Sequence, residues 1–217
     1  MIWTADLAYV VGLTTTDGSL SKDGRHIDFT SKDKELIKSF AKILKLKNRI
    51  GSKYRGEDHS NFCYRIQFGD VDFYRWLLKI GLTTNKSKIL GPLKIPREYL
   101  ADFLRGHFDG DGYTSSFYDS KWKNSYRLYT SFMSASLSHI KWLRDTINDA
   151  WNIEGKINPH NGAYYLRFAK RKSITLLKNL YYKSNIPCLD RKRSKIEKAL
   201  GIIYRHAGML ESVDRLS

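Results

Sequence analysis

Two aspartate–glycine pairs, Asp17-Gly18 and Asp111-Gly112, have the residue types and positions to do metal chemistry. Each pair follows a stretch whose apolar residues have helical spacing, so each carboxylate is predicted at a helix C-terminus. The helix dipole disfavours a negative charge there, and two such charges side by side call for a compensating cation. Oxygen ligands favour a hard divalent ion such as Mg²⁺, which can generate hydroxide and polarise a phosphodiester.

A single Asp-Gly pair is more often a turn that ends a helix than a functional residue. The alternative interpretation is therefore that both pairs are structural. Their matching context favours function, because the sequence from Leu7 to Gly18 aligns with that from Leu100 to Gly112, with Gly12 opposite Gly106. Two further pairs of similar segments follow in the same order: Phe29–Ile37 with Phe132–Ile140, and Tyr64–Phe68 with Tyr164–Phe168. Three similarities in one order indicate two copies of one unit.

Each copy is predicted to fold as helix, two strands, helix, two strands, helix, which makes the chain an α+β protein. In the first copy we expect a helix over residues 5–17 capped near Asp6, a second opened by Ser31 or Asp33, a strand over 62–68 and a helix over 71–80. The elements predicted for the second copy are helices near 97–109, 136–150 and 171–184, strands near 113–119, 124–133, 153–158 and 163–168, and an added helix near 190–203.

These elements divide the chain into four parts. Residues 1–81 form the first unit and residues 82–96, rich in proline, glycine and polar residues, form a linker. Residues 97–203 form the second unit with its C-terminal helix, and residues 204–217 form a tail with no counterpart in the first unit.

The first helix of each copy carries a stripe of small residues. Ala8, Gly12 and Thr16 are spaced by four, and Gly106 and Gly110 repeat the last two positions. Small residues on one face let two helix backbones approach closely. If the two helices face each other, Asp17 and Asp111 meet at the centre of the molecule.

Charge indicates the class of partner. The 217 residues include 38 lysines and arginines against 22 aspartates and glutamates, a formal net charge of +16 that favours a polyanion such as nucleic acid. With 41% hydrophobic residues the chain is expected to be globular, and the two cysteines, Cys63 and Cys188, are too few for a disulfide framework or a zinc site. No apolar run approaches a membrane span, and residues 1–6 lack the features of a signal peptide, so an intracellular location is expected.

The paired helices resemble the two LAGLIDADG motifs of single-chain homing endonucleases. The stretch Phe103-Leu104-Arg105-Gly106-His107-Phe108-Asp109-Gly110-Asp111-Gly112 is especially similar to the second motif, and the resemblance covers roughly residues 5–200. It implies a monomer of two αββαββα units about a pseudo-twofold axis, whose antiparallel sheets form a saddle over the major groove of double-stranded DNA.

The resemblance also implies roles for residues of the motifs. The last acidic residue of each motif binds metal in this family, which corresponds to Asp17 and Asp111 here, and the backbone carbonyls of Thr16 and Gly110 are expected to complete the coordination. Two or three Mg²⁺ ions are expected, with Mn²⁺ or Ca²⁺ able to substitute in binding. The preceding acidic position is Thr15 in the first motif and Asp109 in the second, so Asp109 is interpreted as structural.

The family also places a basic residue beyond the last helix of each unit, near the scissile phosphates. Lys86 and Lys192 correspond to that position and are assigned to orient water or to stabilise charge on the phosphate, with Lys88 and Arg191 as substitutes. The alternative is that these lysines are solvated linker charges.

Side chains that alternate with the apolar residues of each strand lie on its polar face. They are expected to enter the major groove or to hold phosphates. These DNA-binding candidates are Arg65 and Gln67 in the first unit, Tyr165 and Arg167 in the second, and, on less regular strands, Lys53, Arg55, Arg127 and Tyr129. Gln67 and Arg167 also match each other and are alternatively placed near the active-site water. Because the two sets differ, the target is predicted to be long and not palindromic.

The sequence therefore predicts a site-specific endonuclease that makes a metal-dependent double-strand break. The main alternative is a non-cutting maturase or regulator of the same fold, with intron RNA or DNA as its partner. A third is a basic RNA-binding protein whose Asp-Gly turns are structural. Phe62, Tyr64 and Phe68 fall on the apolar parity of their strand, which speaks against an exposed aromatic platform for RNA there.

Overall fold

The computed structural model describes residues 1–55, 61–122 and 125–214. Of these, the side chains of residues 55, 61 and 206–214 are not described. No helix in this part of the chain is both long and apolar enough to cross a membrane.

Two units with the same order of elements follow one another. The first contains α1 (Ala5–Asp17), β1 (Gly18–Leu20), β2 (His26–Ser31), α2 (Lys34–Ile43), β3 (Gly51–Arg55), β4 (Asn61–Gly69) and α3 (Val71–Ile80). The second contains α4 (Leu100–Asp111), β5 (Tyr113–Tyr118), β6 (Tyr126–Ser134), α5 (Leu137–Trp151), β7 (Lys156–His160), β8 (Ala163–Ala169) and α6 (Lys170–Leu180), followed by α7 (Asp190–Asp214). The predicted pair of αββαββα units is confirmed.

Each unit has one antiparallel four-stranded sheet. The strand orders are β1-β2-β4-β3 and β5-β6-β8-β7, so the two sheets have the same topology. One face of each sheet is buried under helices, and the strands alternate between that face and the opposite one. The buried set includes Ile27, Phe29, Ile66 and Phe68 in the first sheet and Leu128, Phe132, Leu166 and Phe168 in the second.

Helices α1 and α4 pack face to face at the centre, as the small-residue stripe predicts. A Cβ atom added to Gly12 would lie 2.6 Å from the backbone nitrogen of His107, and closer still to the carbonyl oxygen of Phe103. One added to Gly106 would overlap the carbonyl oxygen of Tyr9. Backbone atoms therefore occupy the space that any larger side chain would need, and glycine is required at both positions.

Several predicted boundaries are wrong. The cap of α1 is Thr4, whose Oγ1 accepts a hydrogen bond from Leu7 N at 3.1 Å, and Asp6 lies inside the first turn. The helix predicted over 190–203 continues to Asp214, so most of the predicted tail is helical. The other shifts are small: α4 begins at Leu100 after a 3-10 turn, β7 begins at Lys156, and α6 ends at Leu180.

The segment 82–96 between the units is part of the packed structure. Its Leu82, Leu90 and Leu93 are buried in the core. Ser136 Oγ donates to the carbonyl oxygen of Leu90 at 2.5 Å, which ties the segment to the start of α5. The short 3-10 helix Lys86–Lys88 within it is thereby held beside the C-terminus of α1.

Candidate functional site

The two Asp-Gly corners meet where α1 and α4 end. Asp17 is the last residue of α1 and Asp111 the last of α4, and the glycine after each continues as extended backbone into the first strand of its unit. Both aspartates line one cleft of about 470 Å³, together with residues from both the first sheet and the 82–96 segment. The structure thus brings together the two carboxylates that the sequence predicts to pair.

The electrostatics of this cleft are set by burial and by the neighbouring charges. Burial, and next the charge of Asp111, raise the pKa of Asp17 to about 7, against the opposing effect of Lys86 and Lys192. Burial also raises the pKa of Asp111. Two neighbouring carboxyl groups whose pKa values are both raised are the arrangement that a divalent cation relieves.

Each aspartate has a lysine beside it that binds the carbonyl oxygens at the end of its helix. Lys86 Nζ donates to the carbonyl oxygens of Thr16 at 3.3 Å and Gly18 at 2.5 Å. Lys192 Nζ lies within hydrogen-bonding distance of four carbonyl oxygens at the end of α4, those of Phe108, Asp109, Gly110 and Gly112, at 2.6, 2.9, 3.2 and 2.6 Å. A cation at a helix C-terminus is favoured by the helix dipole, so each lysine also offsets the cost of its aspartate.

Burial lowers the pKa of both lysines, and that of Lys192 falls to about 8. Lys86 is only 8% exposed, so its interpretation as a solvated linker charge is wrong. The substitutes named from the sequence lie differently: Lys88 is exposed, and Arg191 forms an ion pair elsewhere.

The donor set suits a hard divalent ion. The described residues contain no group of three or more histidine, cysteine, aspartate or glutamate side chains placed to hold a metal. The protein ligands available at the corner are Asp17, Asp111 and the carbonyls of Thr16 and Gly110. These carbonyls already accept from Lys86 and Lys192, but a carbonyl oxygen has a second lone pair. The remaining ligands of an ion held here would have to come from water or from phosphate.

Asp109 lies two residues before Asp111 and is almost fully buried. Its carboxylate accepts hydrogen bonds from Tyr9 Oη at 2.9 Å, Tyr181 Oη at 3.2 Å and the backbone nitrogen of Leu189 at 2.8 Å. Its partners come from α1, from the end of α6 and from the start of α7. This placement agrees with its interpretation as a structural residue.

Two contacts fix the start of α7 and therefore Lys192. Leu189, three residues before Lys192, is held by Asp109. Arg191 forms a bidentate ion pair with Asp33 at the start of α2, with nitrogen–oxygen distances of 2.7 and 2.6 Å. Sequence reasoning missed the pair because 158 residues separate its members.

The DNA-binding candidates of the first unit lie on the face of the sheet opposite the core. Register places Gln67 opposite Asp28 and Arg65 opposite Thr30, with Lys53 opposite Cys63 on the neighbouring strand. Arg65 is held by an ion pair with Asp28. Arg55 belongs to β3, but its side chain lies outside the described residues.

The candidates of the second unit lie on the corresponding face. Arg127, Tyr129, Tyr165 and Arg167 share it, and Arg127 forms an ion pair with Asp119 at 2.9 Å. Sequence reasoning missed Tyr113 and Phe117 on the same face. The signal was available, because Tyr113, Ser115 and Phe117 alternate with Thr114, which is buried.

Known proteins resemble parts of the chain in sequence. Residues 4–81 match the family model of a LAGLIDADG-like domain. A stretch of 108 residues, 50% of this chain, is 27% identical to a subunit of the A-type ATP synthase of Methanopyrus kandleri. The chain spans 10% of the length of that relative.

Solved structures resemble the chain over most of its length. The LAGLIDADG homing endonuclease I-GzeII in complex with its DNA target has a TM-score of 0.60 at 16% identity, over 97% of this chain and 92% of that chain. I-LtrWI bound to target DNA has a TM-score of 0.59 at 14% identity, over 98% and 93%. Full-length DUF199/WhiA from Thermatoga maritima has a TM-score of 0.57 at 14% identity, over 99% and 68%. Likenesses at this identity establish the fold and not an activity.

Proposed function

Since residues 4–81 are a LAGLIDADG-like domain and the whole chain has the two-unit LAGLIDADG fold, we propose that the protein is a site-specific DNA endonuclease. It cuts both strands of a long, non-palindromic duplex in a reaction that depends on divalent metal. The single observation that carries the proposal is the meeting of Asp17 and Asp111 in one cleft, each with a lysine at its own helix end.

The protein groups have separate tasks in this proposal. Asp17 and Asp111 hold the divalent ions, with help from the carbonyls of Thr16 and Gly110. When bound, Mg²⁺ supplies an activated water and neutralises charge on the phosphate. The near-twofold arrangement of the two corners gives each strand of the duplex its own aspartate and lysine.

Lys86 and Lys192 keep positive charge beside the phosphates. Charge that develops on a phosphodiester during hydrolysis is stabilised by cations already fixed in place. Lys192, with its pKa of about 8, can also exchange a proton at Nζ near neutral pH. Its bonds to the helix-end carbonyls hold the Nζ atom in position for this.

Two solved relatives support DNA as the substrate class, because I-LtrWI and I-GzeII are each bound to a DNA target in their crystal structures. The net charge of +16 supports the same partner.

The test is cleavage of a randomised duplex library with Mg²⁺ and with EDTA, followed by sequencing of the ends. The proposal expects discrete ends at one long site with Mg²⁺ and none with EDTA. Mn²⁺ in place of Mg²⁺ is expected to support cleavage, whereas Ca²⁺ is expected to support binding only. Ends that form equally in EDTA would contradict the metal assignment.

A second candidate is a non-cutting DNA- or RNA-binding protein of this fold. The likeness to DUF199/WhiA, a protein not described as an endonuclease, favours it. The same library separates the two candidates, because this one predicts selective retention of one sequence, or of an RNA, without cut ends at any metal concentration.

A further inference from the structure

The outer faces of the two sheets, the faces opposite the core, differ in chemistry. In the first sheet the described outer side chains are polar, charged or small: Ser19, His26, Asp28, Thr30, Lys53, Cys63, Arg65 and Gln67. None of them is phenylalanine, tyrosine or tryptophan. In the second sheet four large aromatic side chains lie on the outer face: Tyr113, Phe117, Tyr129 and Tyr165.

Matching strand registers shows that three of these rings, those of Tyr113, Tyr129 and Tyr165, stand at positions equivalent to outer residues of the first sheet. The residue paired with Asp28 is Ser19 and the residue paired with Ser131 is Tyr113, so Ser19 and Tyr113 correspond. In the same way His26 corresponds to Tyr129 and Arg65 to Tyr165. Thr30 corresponds to Met133, which adds a further apolar side chain to the outer face of the second sheet.

These rings are accessible to solvent. Phe117 is 50% exposed, and Tyr113, Tyr129 and Tyr165 are partly exposed. The open face of an antiparallel sheet is ordinarily polar, and a group of large apolar side chains on it marks an interaction surface. The rings form two pairs, since Phe117 lies 6.2 Å from Tyr129 and Tyr113 lies 6.0 Å from Tyr165 between ring centroids, and Arg167 contacts one ring of each pair.

The arrangement of the rings favours lateral apolar contact over base stacking. A base stacks on an open ring face. The Arg167 guanidinium lies over the ring of Tyr129, 5.7 Å from its centroid, and also donates to Tyr113 Oη at 3.0 Å. Tyr165 is met edge-on by both Tyr113 and His160, with centroids 6.0 and 5.6 Å apart. The rings pack mainly against each other and against Arg167.

We infer that the outer face of the second sheet recognises thymine methyl groups in the major groove, so that the half of the target under the second unit is rich in thymine. The inference rests on the proposed function, because it concerns the duplex that the same saddle would bind. In the major groove thymine alone presents a methyl group, and apolar side chains contact it. The first sheet, with Arg65, Gln67 and Lys53, would read its half through hydrogen bonds instead.

The test is selection for binding, in EDTA, from randomised duplexes synthesised with thymine or with uracil, which lacks only the methyl group. The selected site is then remade with uracil in one half at a time. Each contacted methyl that is lost is expected to raise the Kd about fourfold, from the free energy of burying one such group. Uracil in the other half is expected to change the Kd less than about twofold.

Matched variants assign the effect to the aromatic face. Tyr129→Ser is expected to remove the part of the thymine–uracil difference that this ring contributes, about fourfold for each methyl group it contacts, whereas Tyr129→Phe, which keeps the ring, is expected to retain the full difference. His26→Ser at the corresponding position of the first sheet is the control and should leave the difference unchanged.

Selective duplex binding without thymine enrichment, or a uracil effect equal in both halves, would overturn this inference and leave the proposed function standing. Tighter binding to single-stranded oligonucleotides than to any duplex would overturn both, and would assign the aromatic face to unpaired bases. Absence of any duplex binding would likewise overturn both.

Discussion

The last helix of the repeat ends differently in the two units. In the first unit α3 is capped by Gly81, whose φ of +112° is in the left-handed region that favours glycine. Gly81 N donates to Leu78 O and Leu82 N to Leu77 O, both at 3.0 Å. In the second unit α6 is capped by Tyr181 and not by a glycine, and the segment that leads to α7 depends on side chains from α4.

Those side chains are buried charges. Arg105, fully buried, donates to the carbonyl oxygens of Leu180 at 3.1 Å and Pro187 at 2.8 Å and pairs with Asp102 at 2.7 Å. Asp109 accepts from Leu189 N. The aligned positions in α1 are apolar or small, namely Ala8, Val11 and Thr15.

The comparison separates two kinds of residue within one repeat. The features common to both units are the glycine stripe, the Asp-Gly corner and the helix-end lysine, and all of them belong to the candidate site. The buried charged residues found only in the second unit satisfy backbone groups of that unit, because buried donors and acceptors need partners. Four sets of substitutions test this division.

The largest effect is expected at the shared corners. Asp17→Asn and Asp111→Asn each preserve size but remove the charge that holds the ion, so each should lower the rate of double-strand cleavage by about 10³-fold or more. DNA affinity should change only a few-fold, because both aspartates end helices and neither is one of the strand side chains proposed to read the bases. Single-turnover cleavage and gel-shift titration measure the two quantities. If both variants still cut both strands, the metal assignment is wrong.

The shared lysines come next. Lys86→Met and Lys192→Met should each slow cleavage about 10²-fold, because a fixed cation beside the phosphate is lost. Lys192 should show the larger loss, since it also binds four carbonyl oxygens at the end of α4. The exposed Lys88→Met is the control and should cut at the parental rate. Equal cleavage rates for all three variants would show that Lys86 and Lys192 take no part in the chemistry.

Asp109 is one of the buried charged residues that occur only in the second unit, and its substitution tests their structural role. Asp109→Asn places an NH₂ group among three donors, so the free energy of unfolding should fall by about 3 kcal/mol. Thr15→Val at the aligned position should cost less than about 1 kcal/mol, because Thr15 Oγ1 bonds only to Val11 O within its own helix. Urea unfolding measures both. A similar loss of unfolding free energy in both variants would mean that Asp109 is no more important for stability than Thr15 at the aligned position.

The smallest effect concerns a histidine pair that also distinguishes the units. His107 and His139 are buried with their Nε2 atoms 3.1 Å apart, and Leu13 and Leu36 stand at the aligned positions. Burial lowers the pKa of His139 to about 4 and that of His107 in the same direction. A depressed folded-state pKa stabilises the protein above the unfolded-state pKa, near 6.5, and this stability is lost as the pH falls towards the folded-state pKa.

The protein should therefore lose about 2 kcal/mol of unfolding free energy between pH 7 and pH 5 from His139. The double variant His107→Leu with His139→Leu copies the first unit and should lose less over the same range, as measured by urea unfolding at both values. If the double variant loses as much unfolding free energy between pH 7 and pH 5 as the parent protein, the acid sensitivity comes from groups other than these two histidines.

Much of the fold could be predicted from the sequence. The bounds of α1 and α3 agree with their predicted ranges because apolar spacing and flanking polar residues define them locally. The cap of α1 could not be assigned securely, since Thr4 and Asp6 are both good capping residues and only the backbone conformation at Thr4 selects it. The predicted end of α7 is wrong because the helix continues through Gly201 and Gly208, although glycine more often marks a helix end.

The sequence by itself determined the two copies, the two Asp-Gly corners and the positive net charge, because composition, spacing and internal repetition are local or additive properties of the chain. The tertiary structure alone decided the partners of the buried charges, such as Leu189 for Asp109 and Asp33 for Arg191. It also decided the strand registers, which set rings of the second sheet at positions equivalent to polar residues of the first. Such pairings depend on which atoms, distant in the sequence, the folded chain brings within hydrogen-bonding distance. Residue spacing along the chain does not encode those distances.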